Sequence, residues 1–281
     1  MKRILEFFQK YAAIGSKSAA TLLKVAVMSR RPSPACGPKE EEIIIMGNGP
    51  SLRSNLDNDI DKLKRHPLLS VNFAPNTPEF AGLRPKIHVL ADGLFFAPSG
   101  NANVEKMWEN LAAVDWGMVL YVPATRRKNT LLGRLPENIT VKYFNLTPAA
   151  GARWLTRKLF DAGLAMPRPR NVLIPSIMSA IREGYSTIRL IGADHSWSKT
   201  LWVDEDNRVM SVQPHFYKDN DKELKRVEQV GAAMHLHQMY ESLSIAFRSY
   251  FDIKDYAERR GITIINSTPA SFIDAFPRAP L

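Results

Sequence analysis

EIIIMGNGPSL, residues 42–52, is the stretch that decides the fold class. Its apolar run 43–46, rich in β-branched residues, predicts a short strand buried on both faces. Gly47 and Gly49 then allow a sharp turn and a close backbone approach to a ligand. Pro50–Ser51 suits the first turn or the cap of a helix, so free N–H groups and the helix dipole would face a bound phosphate. The alternative is an ordinary tight turn, because neither the dinucleotide fingerprint nor the P-loop pattern is present.

Apolar runs alternate with helical patterns along the rest of the chain. Further strands are predicted at 68–73, 86–91, 117–122, 139–144, 187–192 and 262–266, and helices at 103–114, 148–163, 174–184, much of 220–260 and a short segment after Ser271. This alternation is typical of an α/β, Rossmann-like fold with a mostly parallel sheet flanked by helices. In such sheets ligands bind in the crevice beyond the carboxyl ends of the strands.

The composition is that of a soluble globular protein, with 45% apolar and 23% charged residues among 281. The single cysteine, Cys36, excludes an internal disulfide framework and a cysteine-based zinc cluster. No signal-peptide pattern opens the chain, because charged residues interrupt the apolar runs. We therefore expect a cytoplasmic protein, with attachment to the inner membrane left open.

The net charge of +10 is concentrated in residues 1–31, which hold seven basic residues against Glu6 and contribute +6. The remainder is mildly basic and shows no nucleic-acid-binding module, so nucleic acid is not expected as a partner. The segment predicts amphipathic helices with a break at Gly15. It would lie on an anionic membrane surface or pack on protein, including a second copy of the chain, and both remain open. The predicted organisation is this segment, a Pro-rich linker at 32–40 and one catalytic domain at 41–281.

Several predicted strands end in small, amide or carboxylate residues. Because the carboxyl ends of parallel strands meet at one edge of a sheet, we expect one assembled polar site there. Amide groups both donate and accept hydrogen bonds, which suits a sugar or a nucleobase. The candidates are Gly47, Asn48, Gly49, Ser51, Asn72, Asp92, Gly192, Ala193 and Asp194.

Weaker motifs lie outside these strand ends. Ser176 precedes a helical run and is a candidate for a second phosphate cradle, with simple helix capping as the alternative. The sequence 204–206 resembles the Asp-x-Asp metal motif of sugar-nucleotide transferases, but its composition favours a hairpin turn. His235 and His237 are two residues apart in a helical pattern, so their side chains are expected to diverge rather than to bind a metal.

Residues 47–52 after an apolar strand resemble the opening of the bacterial lipooligosaccharide sialyltransferases, and so does Asn72. The other similar segments are 184–185, 188–194, 252–254, 262–265 and 269–271. The likeness is in order across about 43–275. It extends to flagellin-modifying transferases and pterin pyrophosphokinases, which share the Rossmann-like core. The resemblance implies nucleotide binding without a metal. Asn72 would contact the phosphate or the sugar. The other nucleotide-binding residues would be Asn48, Gly49, Ser51, Gly192, Ala193 and Asp194. Asp92 stands where the family has a second asparagine.

The expected function is a glycosyltransferase that uses a nucleotide-activated sugar, CMP-linked by the resemblance, and a glycan acceptor in bacterial surface-glycan assembly. We expect this enzyme to need no cofactor. Transfer to a hydroxyl requires a base, and the candidates are His215, in a loop, and His195, after a strand end. We expect His215 to be the base and His195 to contact sugar or phosphate. The alternatives are a pyrophosphokinase-like phosphotransferase and a non-catalytic nucleotide-binding or scaffold protein.

Overall fold

The computed structural model of the protein describes residues 2–97, 100–211 and 234–281. Its helices are α1 Lys2–Met28, α2 Leu52–Asn58, α3 Ile60–Leu63, α4 Pro78–Leu83, α5 Ala102–Ala112, α6 Arg153–Asp161, α7 Leu173–Arg182 and α8 Leu236–Glu258. Its strands are β1 Lys39–Met46, β2 Leu68–Val71, β3 Ile87–Val89, β4 Met118–Pro123, β5 Ile139–Phe144, β6 Tyr185–Ile191, β7 Leu201–Val203, β8 Val209–Ser211 and β9 Thr263–Asn266.

Seven strands form one parallel sheet in the order β5-β4-β3-β2-β1-β6-β9. β1 lies inside the sheet, where Ile44 pairs with Leu68 of β2 on one side and with Arg189 of β6 on the other. The chain therefore builds the sheet outward from β1 to β5 and then returns to the opposite side of β1. The predicted α/β, Rossmann-like fold with a mostly parallel sheet is confirmed.

Helices cover both faces of this sheet. Alternate residues of β1 point to opposite faces, so they enter different cores. Ile43 and Ile45 pack in a core with α6, α7 and α8. Ile44 and Met46 pack in a second core with residues of α2, α3 and α4, and α5 closes a third core against β4. The continuous apolar run of β1 follows from burial on both faces.

The N-terminal helix differs from the prediction, since α1 runs through Gly15 without the expected break. A Cβ at Gly15 would meet nothing within 4 Å, and an exposed glycine inside a helix costs only about 1 kcal/mol relative to alanine. The alanines around it are strong helix formers, so the helix continues. None of the helices in the described residues is long and apolar enough to span a bilayer.

Two features near the carboxyl-terminal part of the chain test further predictions. The short helix expected after Ser271 is wrong: no helix forms at 271–281, where the chain instead pairs beside β9 through an Asn266–Arg278 bridge. The predicted hairpin turn at 204–206 is confirmed, because β7 and β8 pair in antiparallel fashion on either side of it.

The linker at 32–40 lies against the body. Ser33 N–H donates to the Tyr143 carbonyl of β5 at 3.0 Å, and Cys36 N–H donates to the Arg182 carbonyl of α7 at 2.8 Å. β1 begins at Lys39, inside the segment expected to be linker. These backbone hydrogen bonds fix the linker against the carboxyl end of β5 and the end of α7, so it connects α1 to the sheet as an ordered segment.

Candidate functional site

Two loops meet where the strand order reverses, one after β1 and one after β6. Gly47 N–H donates to the Ile191 carbonyl and Gly49 N–H to the Gly192 carbonyl, both at 2.8 Å. A Cβ on Gly47 would lie 2.4 Å from the Gly192 oxygen. The glycines of the first loop are therefore required by contact between the two loops, a reason separate from the approach of a ligand.

The side chain of Asp194, which follows β6, lies at the start of α2. The Ser51 hydroxyl donates to Asp194 Oδ2 at 2.7 Å, and the Ser51 N–H lies 3.3 Å from Oδ1. The carboxylate thus stands where a phosphate was expected, and the N–H groups of Gly49 and Ser51 both have partners within the chain. A carboxylate accepts hydrogen bonds from hydroxyl and amino groups, so this position suits a ribose or a nucleobase better than a phosphate.

A segment that sequence analysis did not assign to the site holds the second loop. In this C-terminal strap, residues 266–273, Thr268 Oγ1 accepts the Ala193 N–H at 3.0 Å and Ser271 Oγ donates to the Ala193 carbonyl at 2.6 Å. Phe272 N–H donates to the Asp194 carbonyl at 2.8 Å. The cluster of Ser and Thr after β9 was a signal for such loop-binding hydroxyls, but its partners are about 75 residues away and local sequence does not identify them.

Two amide side chains at this edge are the groups best placed to meet a ligand. Asn48 Nδ2 is buried and has no hydrogen-bond partner in the described part of the chain. It lines a pocket with Ser70, Thr77 and Glu79 over apolar walls. Asn72, at the end of β2, is half-buried and holds a left-handed backbone with φ +52°. A buried donor without a partner costs free energy, which indicates a position completed by a ligand or by water.

His88, which the sequence did not mark as functional, lies fully buried beneath this edge. Its Nδ1 is 2.8 Å from Ser70 Oγ, and its Nε2 lacks a partner in the described residues. Burial lowers the pKa of His88 to about 3. The ring is therefore neutral at pH 7 and ties β2 to β3 behind Asn72.

Asp92 and Ser176 have partners of their own. Asp92, exposed after β3, accepts the Leu94 N–H at 2.9 Å as the cap of a short 3-10 turn. Ser176 is fully buried inside α7, where its hydroxyl donates to the Val172 carbonyl at 2.8 Å. α7 begins at Leu173, whose N–H is accepted by the Asn171 side chain, so capping there belongs to Asn171 rather than to Ser176.

His195 is 9% exposed and enclosed by aromatic rings, with Trp197 at 4.1 Å between centroids. Its Nε2 lies 2.6 Å from the Tyr250 hydroxyl, which itself donates to Asn171 Oδ1 at 3.1 Å. Nε2 therefore carries the proton and donates to Tyr250. Burial lowers the pKa of His195 to about 3, so the ring is neutral at pH 7. This arrangement suits a residue that positions the loop after β6. His215 lies outside the described residues.

The described residues contain no group of three or more side chains that could hold a metal ion. Asp204 accepts the Arg208 N–H at 2.8 Å and pairs with its guanidinium, so the turn itself uses that carboxylate. His235 and His237 differ from the expectation that they diverge: their rings stack 6.0 Å apart. The reason is that His235 precedes α8 as its cap and is not helical.

Comparison with known proteins places the chain in no family. The chain matches no protein-family model and no curated protein sequence. A solved structure of the MAf glycosyltransferase from Magnetospirillum magneticum AMB-1 is similar, with 11% identity and a TM-score of 0.49. The match covers 94% of this chain and 38% of that one, so the chain spans well under half the length of the solved protein.

Proposed function

We propose that the protein is a metal-independent glycosyltransferase that uses a CMP-linked sugar in bacterial surface-glycan assembly. The observation that carries the proposal is the meeting of the Gly47–Ser51 loop with Asp194 at the point where the strand order reverses, beside the amides of Asn48 and Asn72. Ligands of open α/β sheets bind at such a point. The likeness of these residues to the sialyltransferase motifs supports the cytidine nucleotide.

We assign roles to these groups as part of the proposal. Asp194 accepts hydrogen bonds from the ribose or the base, since its carboxylate disfavours a neighbouring phosphate. The Asn48 and Asn72 amides donate to the departing phosphate and stabilise the charge that develops on it. This replaces the expected role of the Gly49 and Ser51 N–H groups, because both already have partners. Asp92 contacts the sugar from the end of β3, where its carboxylate is exposed.

His215 is the proposed base that takes the acceptor proton, and His195 is a positioning residue, since its ring is buried and bonded to Tyr250. The acceptor is a glycan hydroxyl. The assignment predicts that His215→Ala keeps nucleotide binding and loses turnover of a CMP-sugar probe by about 10²–10⁴-fold. Near-wild-type turnover in that variant would contradict it.

Thermal-shift measurement with nucleotides tests the proposal. CMP or CDP in large excess should stabilise the protein, by about 3 kcal/mol at a hundredfold excess over the dissociation constant. Asn48→Ala should remove most of that shift. Asn58→Ala is the matched control, because Asn58 lies exposed in α2 and its amide binds the Ser54 carbonyl.

Other outcomes select the alternatives. Stabilisation by ATP only in the presence of magnesium would indicate a pyrophosphokinase-like phosphotransferase. An unchanged melting temperature with every nucleotide would indicate a scaffold protein and overturn the proposal. A CMP shift that is equal in both asparagine variants would leave the nucleotide class standing and remove Asn48 from the site.

A further inference from the structure

The C-terminal strap holds Ala193 by both of its backbone polar groups. Thr268 Oγ1 accepts the Ala193 N–H at 3.0 Å, and Ser271 Oγ donates to the Ala193 carbonyl at 2.6 Å. All three residues are buried, so water does not compete for these hydrogen bonds. One residue further on, the Phe272 N–H donates to the Asp194 carbonyl at 2.8 Å. The strap therefore fixes the backbone on both sides of the Asp194 Cα.

The strap is itself closed by a buried amide. The Asn266 side chain, 1% exposed, accepts the Thr268 N–H and donates to the Ile273 carbonyl, both at 3.1 Å. These two hydrogen bonds join the beginning of the strap to its end. Arg189 of β6 donates to the Ser267 hydroxyl at 2.9 Å, which anchors the strap to the sheet. The two hydroxyls that bind Ala193 therefore have fixed positions.

The Asp194 side chain is fixed on the other side of the loop. The Ser51 hydroxyl donates to Oδ2 at 2.7 Å, and the carboxylate lies so close to Gly49 that a Cβ there would overlap it. A carboxylate offers about four acceptor sites, and Ser51 fills two of them at most. Asp194 is half-buried at the edge of the sheet where ligands bind. It therefore keeps acceptor capacity for donors on a ligand.

The donors of a nucleotide are its ribose hydroxyls and the amino groups of its base, because phosphate oxygens act chiefly as acceptors. Asn48, which we propose to contact the phosphate, lies in the same loop as Ser51, the partner of Asp194. The ribose is joined directly to the phosphate, so it is the part of the nucleotide nearest to Asp194. Two neighbouring hydroxyls also match the two oxygens of one carboxylate, whereas a base amino group does not.

We propose that Thr268 and Ser271 are positioning residues that hold Asp194 for the hydroxyls of a ribose, so the ligand of this site is a ribonucleotide. The inference rests on the proposed function, because it requires that the site binds a nucleotide. A carboxylate held in place loses little freedom when the ligand binds, which strengthens its hydrogen bonds to the ribose. Without one of the strap hydroxyls the loop turns more freely and this advantage is lost.

Calorimetric binding of CMP and of 2′,3′-dideoxy-CMP, which lacks both ribose hydroxyls, tests the inference. The parent protein should bind CMP at least about tenfold more tightly than the dideoxy nucleotide. Ser271→Ala should reduce that preference to about threefold or less. Ser267→Ala is the matched control, because Ser267 is a buried serine of the same strap whose hydroxyl bonds Arg189 instead of the loop. It should keep the preference of the parent protein.

A second variant guards against a purely structural effect. Thr268→Val keeps the shape of the side chain and leaves the Ala193 N–H without its acceptor, so it should lower the preference in the same way. The preference is a ratio of two dissociation constants. Partial unfolding weakens the apparent binding of both nucleotides by the same factor, so it leaves this ratio unchanged. Melting temperatures without nucleotide record any loss of stability separately.

The outcomes separate this inference from the proposed function. A parent protein that binds neither nucleotide contradicts the proposed function, and the inference falls with it. Equal binding of CMP and the dideoxy nucleotide upholds a nucleotide site but overturns the contact between Asp194 and ribose. A preference that survives in both Ser271→Ala and Thr268→Val overturns the role of the strap hydroxyls. A preference that Ser267→Ala loses as well also overturns that role, because the effect then belongs to the strap as a whole.

Discussion

At the candidate site, the structure gives several sequence-predicted residues contacts that differ from the expected ones. The glycines at 47 and 49 were expected to clear space for a phosphate, but the structure shows them clearing space for the neighbouring loop. Asp194 was expected to contact the nucleotide, and in the structure its carboxylate accepts a hydrogen bond from the Ser51 hydroxyl. The local sequence indicates that the backbone turns sharply at these glycines. It does not indicate whether a ligand or the protein itself occupies the space beside them, because the residue in contact lies more than 140 positions away.

Gly47→Ala should destabilise the fold by about 1–3 kcal/mol, because the new Cβ would lie 2.4 Å from a backbone oxygen that cannot move without displacing β6. Gly82→Ala is the control: it lies in α4 with nothing near its Cβ, and it should be neutral or stabilising by up to about 1 kcal/mol. Urea unfolding measures both. Equal stability of the two variants would show that the loops can separate at little cost.

At the scale of elements, sequence periodicity located the sheet well and the small helices poorly. The strand predicted at 139–144 is observed with the same bounds, and the other sheet strands differ by a few residues at their ends. The helix start predicted at Pro50–Ser51 is observed as α2, whereas α3 and α4 were not predicted, since helices of four to six residues complete too few turns to show a period. The helix expected at 148–163 begins only at Arg153, because Pro148 bridges to Met166 and Gly151 has φ +117°.

The docking of α1 gives a prediction at this scale. Thr21→Val keeps the shape of the side chain but leaves the Ala150 N–H and carbonyl without their partner. The loss should weaken docking of α1 by about 1–3 kcal/mol. Hydrogen exchange at Ala150 should accelerate, while exchange within the central sheet stays unchanged. Thr125→Val, at an exposed threonine, is the matched control and should alter neither.

At the scale of the whole molecule, two buried neutral histidines link stability to pH. Burial lowers the pKa of both His88 and His195 from 6.5 to about 3. As the pH falls below 6.5, these histidines are protonated in the unfolded chain but stay neutral in the folded chain. The free energy of unfolding therefore decreases between pH 6.5 and pH 3. At pH 5 the loss should be on the order of 2 kcal/mol for each histidine.

Urea unfolding at pH 7.5 and pH 5 measures this effect. His88→Gln, which retains a hydrogen-bond acceptor for Ser70, should lose less stability over that interval than the parent protein, by on the order of 2 kcal/mol. His66→Gln, at an exposed histidine, should behave as the parent does. An unchanged pH dependence in His88→Gln would mean that this histidine binds its proton equally in the folded and unfolded chain.

The position of β1 between β2 and β6 has a consequence for the protein as it is being made. Ile44 meets its first strand partner at Leu68 but its second only at Arg189. At about 5–20 residues synthesised per second, one edge of β1 stays open for roughly 7 to 30 seconds after the strand leaves the ribosome. An open strand edge with an apolar run such as 43–46 is a template for pairing with other chains, so nascent copies on one messenger are most prone to aggregate in this interval. The loop at 192–194 waits longer still, until residues 268–272, which hold it, have emerged.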